Sequence, residues 1–359
     1  MGDLVNTWQA RFKNKRVLIT GDTGFKGSWL AYWLHHLGAE VHGFALPPEQ
    51  SGSHFRLLKL DQMINHRDGD IRVFDKILEF MQETKPEFVF HLAAQPLVRK
   101  SYQDPKTTFD TNVGGSVNIL EAVRVTSSVR SFIMITSDKC YRNKEWCWGY
   151  RENDELGGKD PYSASKAAAE QVFYGYQQSF FENRAHFGAA TVRAGNVIGG
   201  GDWSSDRIVP DCIRALEKGD PICLRNPDAT RPWQHVMEPL SGYMLLASHL
   251  YENPRLNGNS YNFGPDSGDM HTVKDVAEEL IAVWGSGKIQ ITRNADDPPE
   301  AGLLHLNCDK AHHDIGWHPR WNFKKTIEMT AKWYKSINEG KNAESVTRQQ
   351  IIEYMGDES

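Results

Sequence analysis

A short apolar segment followed by closely spaced glycines lies near the N-terminus. Residues 17–20 are Val-Leu-Ile-Thr, a run with β-branched side chains that is typical of a buried parallel strand. Gly21, Gly24 and Gly27 separate this strand from a helix-forming stretch. Glycines at a strand-to-helix turn let the backbone approach a pyrophosphate, and the helix N-terminus attracts its negative charge. The turn predicts a dinucleotide site, with a plain tight turn as the alternative.

The segments that follow alternate between strand-like and helix-like sequence. Further parallel strands are predicted at residues 40–46, 88–94, 132–136, 192–198 and 260–263. Helices are predicted at residues 72–84, 113–125 and 240–250. Strands that alternate with helices in this way form a doubly wound, Rossmann-type parallel α/β sheet.

Two domains are expected from the length of 359 residues and from a change in sequence character near residue 191. The dinucleotide-binding domain is predicted to span residues 1–190, and residues 235–266 are predicted to return to it. Residues 191–234 and 267–359 are predicted to form a smaller, mixed α/β substrate domain.

Composition excludes several classes of protein. The net charge is −5 and there is no block of Lys or Arg, which argues against nucleic acid as the main partner. We expect no membrane span, because no apolar run has the roughly 18 residues that a bilayer requires. The five cysteines are odd in number and form no C-x-x-C pair. This usage favours a reduced, cytoplasmic enzyme without a metal site over a disulfide or zinc scaffold.

Several residues after the predicted strands are candidates for cofactor contacts. The second strand ends at Ala45-Leu-Pro-Pro-Glu49 without a clear acid for a ribose, so this site does not separate NAD from NADP. Asp70 is suited equally to an adenine amine or to a helix cap. The small residues at 92–94 follow a strand, where a ligand can come close.

A second group of polar residues follows the strand predicted at 132–136. Ser137, Asp138 and Lys139 lie at its carboxyl end, and Asp160-Pro161 marks the start of a helix. Tyr162 and Lys166 are then at i and i+4, so their side chains can reach one site. A surface pair on an amphipathic helix is the alternative for Tyr162 and Lys166.

Residues beyond 191 offer partners for a substrate. Asn196 is followed by the glycine-rich loop 199–202 and by Trp203, Arg207 and Arg231. Arginines bind phosphates through paired hydrogen bonds, and a tryptophan offers a stacking plane. The glycines can also simply form turns, and Trp203 can serve packing alone.

Taken together, these motifs resemble the extended short-chain dehydrogenase/reductase family that acts on nucleotide sugars. The shared motifs are T-G-x-x-G-F-x-G at 20–27, G-D-I at 69–71, H-L-A-A-Q at 91–95, T-N-V-G-G at 111–115 and Y-x-x-x-K at 162–166. Residues 21–29, 193–203, 206–211 and 231–235 are similar to the subgroup of 4,6-dehydratases that uses CDP-glucose. In the dTDP-glucose and GDP-mannose dehydratases, Thr-Asp-Glu stands where this chain has Ser137-Asp-Lys139. The lysine supports the CDP-glucose subgroup and puts a direct transfer of the glutamate's base role in doubt.

The resemblance implies a set of site residues and an NAD cofactor. The cofactor residues it implies are Gly21, Thr23, Gly24, Phe25, Gly27, Asp70, Ile71, Leu92, Ala93, Ala94, Thr111, Tyr162 and Lys166. The substrate residues it implies are Gln95, Asn196, Trp203, Arg207 and Arg231. It also implies a homodimer or homotetramer and a supply of deoxysugars for surface polysaccharide such as O-antigen.

The chemistry implied is loss of water across C5–C6 of the hexose after oxidation at C4. Tyr162 would take the C4 hydroxyl proton, with its pKa lowered by Lys166 and the positive nicotinamide, while Ser137 would hydrogen-bond the reacting oxygen. Asp138 would protonate the leaving C6 hydroxyl. Lys139 would be the base at C5 or would stabilise the enolate by its charge. The alternatives are another nucleotide-sugar dehydratase or epimerase, and a non-catalytic dinucleotide-binding protein.

Overall fold

A seven-stranded parallel sheet is the centre of the computed structural model, which describes residues 7–266, 268, 270–292 and 303–356. Its strands are β1 (Arg16–Thr20), β2 (Glu40–Ala45), β3 (Asn65–Asp68), β4 (Phe88–His91), β5 (Ser131–Ile135), β6 (Gly188–Ala194) and β7 (Ser260–Phe263). Their order across the sheet is β3-β2-β1-β4-β5-β6-β7, and all neighbours are parallel. This doubly wound order confirms the predicted fold class.

The strand order reverses between β1 and β4. In open α/β sheets, ligands bind beyond the carboxyl ends of the strands at such a reversal. The glycine turn follows β1 and residues 92–94 follow β4, so both segments lie at this edge of the sheet.

Helices cover the sheet and build the region beyond it. The α-helices span Thr7–Ala10, Phe25–His36, His54–Leu57, Phe74–Thr84, Val98–Gln103, Pro105–Phe109, Gly115–Val125, Pro161–Tyr176, Ile208–Lys218, Met237–Glu252, Val273–Trp284, Asp309–Ile315, Phe323–Asn338 and Ala343–Met355. Short 3-10 segments span Leu60–Gln62, Asp138–Cys140 and Pro254–Leu256, and π-helical turns span Asp110–Gly114 and Gln177–Phe181. No helix in the described part of the chain combines the length and apolar content that crossing a bilayer requires.

Alternate side chains of each strand enter the cores on opposite faces of the sheet. Val17 and Ile19 belong to one core, whereas Leu18 belongs to the other, and all three are fully buried. One core includes helices Phe25–His36 and Met237–Glu252, and the other includes Phe74–Thr84 and Gly115–Val125. Because both faces are covered, central strands such as β1 and β4 are largely apolar and stand out in the sequence. The edge strand β3 is Asn-His-Arg-Asp, and the sequence analysis did not predict it.

Three short strand pairs lie outside the main sheet. Val197–Ile198 pairs in parallel with Gln234–His235, and Ile222–Leu224 pairs in parallel with Ile289–Ile291. Thr230–Arg231 pairs antiparallel with His271–Thr272. The first pair brings two segments of the predicted substrate region side by side.

The division into two domains stays a prediction, but one boundary crosses a strand. Residues 191–194 pair with β7 as part of β6, so they belong to the main sheet rather than to the region beyond residue 190. The strand predicted at 192–198 is likewise two strands, β6 and Val197–Ile198, because the chain turns at Asn196, whose φ is +50°.

Candidate active site

The glycine turn packs tightly against the segment that follows β4. Gly21 has a φ of +79°, and a Cβ atom there would lie 2.7 Å from the Ala93 nitrogen. A Cβ atom on Gly27 would lie 2.0 Å from the Gly21 carbonyl oxygen. Gly24 is the N-cap of helix Phe25–His36 and is exposed. The turn therefore has room only for glycine at two positions and leaves the helix N-terminus accessible, as a diphosphate site requires.

Other predicted cofactor residues surround this turn. The Thr23 hydroxyl donates to the Leu46 carbonyl oxygen at 2.8 Å, which ties the turn to the end of β2. The aromatic ring of Phe25 packs against Gly199, where a Cβ atom would lie 3.2 Å from the ring. Leu92, Ala93 and Ala94, which follow β4, are all partly buried.

Asp70 binds its neighbour Arg72 rather than capping a helix directly. Its carboxylate accepts a bond from the Arg72 backbone nitrogen at 2.9 Å and paired bonds from the guanidinium. The helix begins at Phe74, two residues after the predicted start. The Arg72 guanidinium lowers the pKa of the Asp70 carboxyl. An adenine contact for Asp70 stays a prediction.

Ile71 and Thr111 both lie near the start of helix Gly115–Val125. A Cβ atom on Gly115 would lie 2.5 Å from the Ile71 Cδ1 atom, so this glycine admits the isoleucine. Thr111 lies in the π-helical turn Asp110–Gly114 and is partly buried. Their cofactor roles stay predictions.

Gln95 is a predicted substrate residue, but its side-chain amide forms hydrogen bonds within the protein. Its Nε2 atom donates to the Thr108 hydroxyl at 2.8 Å, and its Oε1 atom accepts from the Leu97 nitrogen at 2.7 Å. The Gln95 backbone also pairs with Asn112, whose Nδ2 atom donates to Ser165 on the Tyr162 helix at 2.8 Å. Gln95 therefore stabilises a buried loop. The sequence did not indicate this role, because Thr108 is remote from Gln95 in the chain.

The predicted catalytic residues Ser137, Tyr162 and Lys166 do come together. Asp160 caps the helix Pro161–Tyr176, accepting from the Ser163 nitrogen at 2.9 Å, as the sequence predicted. Tyr162 is buried and hydrogen-bonded to Ser137. Lys166, also buried, donates to the Ile135 carbonyl oxygen at 3.4 Å. The helix thus presents both side chains to the carboxyl end of β5.

The pKa of Tyr162 differs from the sequence-based expectation. Burial raises the pKa of Tyr162 to about 12, while the Ser137 hydrogen bond and the Arg207 charge act in the opposite direction. Burial also lowers the pKa of Lys166 to about 8, and the Glu170 charge opposes this shift. Desolvation is the largest of these influences on Tyr162, because burial disfavours a phenolate. The expected effect of Lys166 and the nicotinamide on this pKa stays a prediction.

Asp138 occupies a pocket that two strand ends create. It is buried and accepts a hydrogen bond from the Ser137 hydroxyl at 2.8 Å. A Cβ atom on Gly195 would lie 1.9 Å from the Asp138 Oδ2 atom, so only glycine leaves space for this carboxylate. Lys139 follows in the same 3-10 segment, but its side chain is exposed.

A buried ion pair that sequence analysis missed lies behind Lys166. Arg193 donates two bonds of 2.9 Å to the carboxylate of Glu170, and both side chains are about 97% buried. Glu170 also accepts from the hydroxyls of Thr136 and Thr191. Glu170 is one helical turn from Lys166, a spacing that is visible in the sequence, but its partner on β6 is not.

Lys26 is a further residue that sequence analysis missed. It lies between Phe25 and Gly27 in the first turn of its helix and is partly buried. It interacts electrostatically with Lys166, Arg207 and Asp138, so three segments meet around its amine. The sequence shows this lysine within the glycine motif, at a position where the motif specifies no residue type.

The predicted substrate residues divide into two groups. Arg207 forms an ion pair of 3.0 Å with Asp202 and interacts electrostatically with Tyr162, so it lies near the catalytic residues. Trp203 packs edge-on against Tyr334 with ring centres 5.1 Å apart, and its buried Nε1 atom has no partner within the described chain. This contact fits the packing alternative.

Asn196 and Arg231 are linked through the backbone rather than directly. The Gln234 nitrogen donates to the Asn196 carbonyl oxygen at 3.3 Å, three residues after Arg231. The Arg231 side chain donates to the Thr230 carbonyl oxygen at 2.8 Å and is partly buried. Asn196 is also partly buried.

A family model and curated relatives match nearly the whole chain. The model described as GDP-mannose 4,6 dehydratase matches residues 18–330. The chain is 45% identical to the CDP-glucose 4,6-dehydratase of Salmonella typhimurium, an alignment that covers 98% of each protein. It is 23% identical to the dTDP-glucose 4,6-dehydratase of the same organism, covering 89% of this chain and 92% of the relative.

Solved structures share the fold at lower sequence identity. Epimerase Mth375 from Methanothermobacter thermautotrophicus superimposes with a TM-score of 0.79 at 21% identity, covering 97% of this chain and 98% of the epimerase. The dTDP-glucose 4,6-dehydratase from Bacillus anthracis, solved in complex with NAD, gives a TM-score of 0.74 at 20% identity and covers 90% and 98%. These likenesses establish the Rossmann-type fold and no more.

Proposed function

Because this chain belongs to the GDP-mannose 4,6-dehydratase family, we propose that it is a CDP-glucose 4,6-dehydratase. The reaction converts CDP-glucose to CDP-4-keto-6-deoxy-glucose and water. The full-length identity of 45% to the Salmonella enzyme supports this substrate among those of the family. Asp138, Tyr162 and Lys166 are all buried, and this combination supports the dehydratase chemistry.

NAD is the proposed cofactor, and the glycine turn fits its diphosphate. The turn has no space for a side chain at Gly21 or Gly27, and it exposes the start of a helix. Thr23 lies within the turn, and Leu92 and Ala93 lie next to Gly21, which supports their proposed contacts with the cofactor. When bound, NAD accepts the hydride from C4 of the sugar and later returns it to C6.

The oxidation at C4 requires a group that removes the hydroxyl proton. Tyr162 is proposed for this role, and it must ionise before it accepts the proton. Burial opposes ionisation, whereas the Ser137 hydrogen bond and the positive charge of Arg207 favour it. Lys166 adds a positive charge one helical turn from Tyr162. Ser137 is placed to hydrogen-bond the same oxygen.

The elimination requires an acid that protonates the leaving C6 hydroxyl and a base that removes the C5 proton. The C5 proton is acidic because it lies next to the new ketone. Asp138 is proposed to protonate the departing C6 hydroxyl, and its burial next to Ser137 supports this role. Lys139, in the same 3-10 segment, is proposed to act at C5 as the base or as the cation that stabilises the enolate.

Arg207, Arg231 and Asn196 are proposed to bind the substrate, with the arginines on its diphosphate. Guanidinium groups bind phosphate oxygens with two parallel hydrogen bonds, which fixes both charge and orientation. The electrostatic interaction of Arg207 with Tyr162 supports a phosphate close to the reacting sugar. Trp203, with its free indole nitrogen, is proposed to help shape the same site.

Mass spectrometry of a reaction with CDP-glucose tests the function directly. We expect a product lighter by one water and no net change in NAD. An epimerase would leave the mass unchanged, and an oxidoreductase would alter the NAD concentration in proportion to product. Protein that leaves CDP-glucose unaltered while converting dTDP-glucose or GDP-mannose would assign it to a different substrate of this family.

A homodimer or homotetramer in the cytoplasm is proposed on two observations. Tyr102, Phe109, Tyr174 and Phe180 are exposed on the packed helices 98–109 and 161–181, which offers an apolar surface to a second copy. All five cysteines are free thiols, as in reducing compartments. Supply of deoxysugars for surface polysaccharide stays a proposal that rests on the substrate.

A further inference from the structure

Two arginines from different parts of the chain meet at one carboxylate oxygen of Asp206. The Arg99 Nη1 atom lies 3.1 Å from the Asp206 Oδ1 atom, and the Arg225 Nη1 atom lies 4.0 Å from the same oxygen. Arg99 belongs to helix Val98–Gln103, which follows β4, whereas Arg225 directly follows the short strand Ile222–Leu224. Asp206 therefore connects a helix beside the main sheet with the region beyond that sheet.

These three charges lie beside residues that already have proposed roles. Arg207, which is proposed to bind the substrate diphosphate, directly follows Asp206 in the chain. The Ser101 hydroxyl, two residues after Arg99, accepts a hydrogen bond from the Tyr162 backbone nitrogen at 3.2 Å. The helix that carries Arg99 therefore contacts the start of the helix that carries the proposed C4 base.

The backbone of Asp206 has a conformation that favours glycine. Its φ is +61°, which is in the left-handed region. Asparagine adopts this region about as readily as aspartate does, and glycine adopts it without steric cost. The backbone therefore does not require a carboxylate at this position. What the carboxylate adds is a negative charge between two arginines.

Asp202, in the loop just before Asp206, holds its arginine in a different way. Asp202 is buried, and its Oδ2 atom lies 3.0 Å from the Arg207 Nη1 atom while its Oδ1 atom accepts from the Ser204 nitrogen at 3.0 Å. Asp206 is exposed, and both of its arginine partners are partly exposed. Exposed ion pairs contribute little free energy, because water and salt screen them. The contacts of Asp206 can therefore be exchanged for another anion at low cost.

We propose that Asp206 is an internal anion that holds Arg99 and Arg225 until the substrate diphosphate displaces it, and that both arginines then bind the diphosphate. This inference rests on the proposed function and deepens it. A diphosphate carries more charge than one carboxylate and accepts paired bonds from each guanidinium. Helix Ile208–Lys218 adds a further attraction for an anion, because no side chain within the described residues caps its N-terminus. The product carries the same diphosphate, so competition from Asp206 also favours product release.

Asp206→Asn tests the competition, because it removes the charge and keeps a side chain that tolerates the same φ. We expect CDP and CDP-glucose to bind about 2- to 10-fold more tightly, measured by isothermal titration calorimetry, since two weak ion pairs no longer oppose binding. An ion pair that only holds the arginines in place predicts weaker binding instead. Asp211→Asn, which removes an exposed pair with Arg214, is the matched control and should bind CDP like the wild type. Unchanged or weaker binding by Asp206→Asn would overturn the inference.

Arg99→Ala and Arg225→Ala should change the affinity in the opposite direction. Each variant loses charge-assisted bonds to the diphosphate, so CDP should bind about 10- to 100-fold more weakly. The salt dependence of CDP binding should also decrease, because one contact between a cation and the diphosphate is lost. Arg214→Ala is the matched control on the exposed surface. Wild-type affinity in both arginine variants would contradict the inference.

The double variant Arg99→Ala/Asp206→Asn links the two effects. If Asp206 competes with the diphosphate by holding Arg99, the gain in affinity from Asp206→Asn should shrink once Arg99 is removed. Simple repulsion between Asp206 and the diphosphate predicts the same gain with or without Arg99. An equal gain in the two backgrounds would therefore refute the proposed exchange of partners.

Asp206→Gly guards against a fault that is peculiar to the asparagine variant. Glycine suits the φ of +61° and carries no charge, so Asp206→Gly should also bind CDP more tightly. Wild-type protein that dehydrates CDP-glucose, together with variants at Asp206 that bind CDP no more tightly, would overturn the inference alone. Wild-type protein that leaves CDP-glucose unchanged would overturn the proposed function.

Discussion

The two proposed halves of the reaction are assembled in different ways. Tyr162 and Lys166 lie one turn apart on a single helix that Asp160 caps. The Asp138 pocket instead needs the end of β5, the backbone at Gly195 and, through electrostatics, Lys26 in the glycine turn. The oxidation site is thus local in sequence, whereas the elimination site exists only in the folded chain. A change at Gly195, which is remote from Asp138 in the chain but packs against it, should therefore impair elimination and spare oxidation.

The largest effect is expected for Tyr162→Phe, which breaks the local half. Removing the hydroxyl removes the proton acceptor at C4, so turnover should fall by about 10²- to 10⁴-fold or more. Steady-state formation of the keto sugar measures this loss. Affinity for NAD, measured by titration, should change little, because the glycine turn is intact. Wild-type turnover in Tyr162→Phe would refute the oxidising role.

Glu170→Gln weakens the support behind the same helix. The substitution replaces the carboxylate beside the buried Arg193 guanidinium with a neutral amide. Loss of one member of a buried ion pair costs about 3–5 kcal/mol of unfolding free energy. Chemical denaturation monitored by tryptophan fluorescence measures this cost. Glu121→Gln, which disrupts an exposed pair with Arg124, is the matched control and should cost at most about 1 kcal/mol.

Gly195→Ala should impair the elimination half selectively. The added Cβ atom would lie 1.9 Å from the Asp138 Oδ2 atom, so this carboxylate must move. A displacement of about 1 Å in a catalytic group costs on the order of 10²-fold in rate. We expect this loss in water elimination, measured by mass spectrometry, while C4 oxidation in a single turnover continues. Equal loss of both steps would show that the two halves are not separable.

Arg231→Ala is expected to have the smallest effect on chemistry. If Arg231 binds the substrate diphosphate, the lost charge-assisted bonds are worth about 1.5–3 kcal/mol, or roughly 10- to 100-fold in KM for CDP-glucose. The rate at saturation and the affinity for NAD should change little. Arg124→Ala, on the exposed surface, is the control. An unchanged KM would assign the phosphate site to other residues.

Local chemistry explains what could be predicted from the sequence. The glycine turn, the Asp160-Pro161 helix start and the pairing of Tyr162 with Lys166 depend on backbone conformation and spacing within a few residues. The parallel sheet was predictable because strands buried on both faces are continuously apolar. The family resemblance then supplied the residues of the site, although the roles of those residues stay predictions.

Only the tertiary structure decided which side chains share an environment. Gln95 is held by Thr108, Asp70 is held by Arg72, and the Tyr162 pKa is dominated by burial. Desolvation and Coulomb interactions depend on distance in space, and segments far apart in the chain supply most of the neighbours. For this reason the sequence by itself determined the Rossmann-type fold and the helix that carries Tyr162 and Lys166. The fold alone placed the Asp138 carboxylate against Gly195, which is remote from it in the chain.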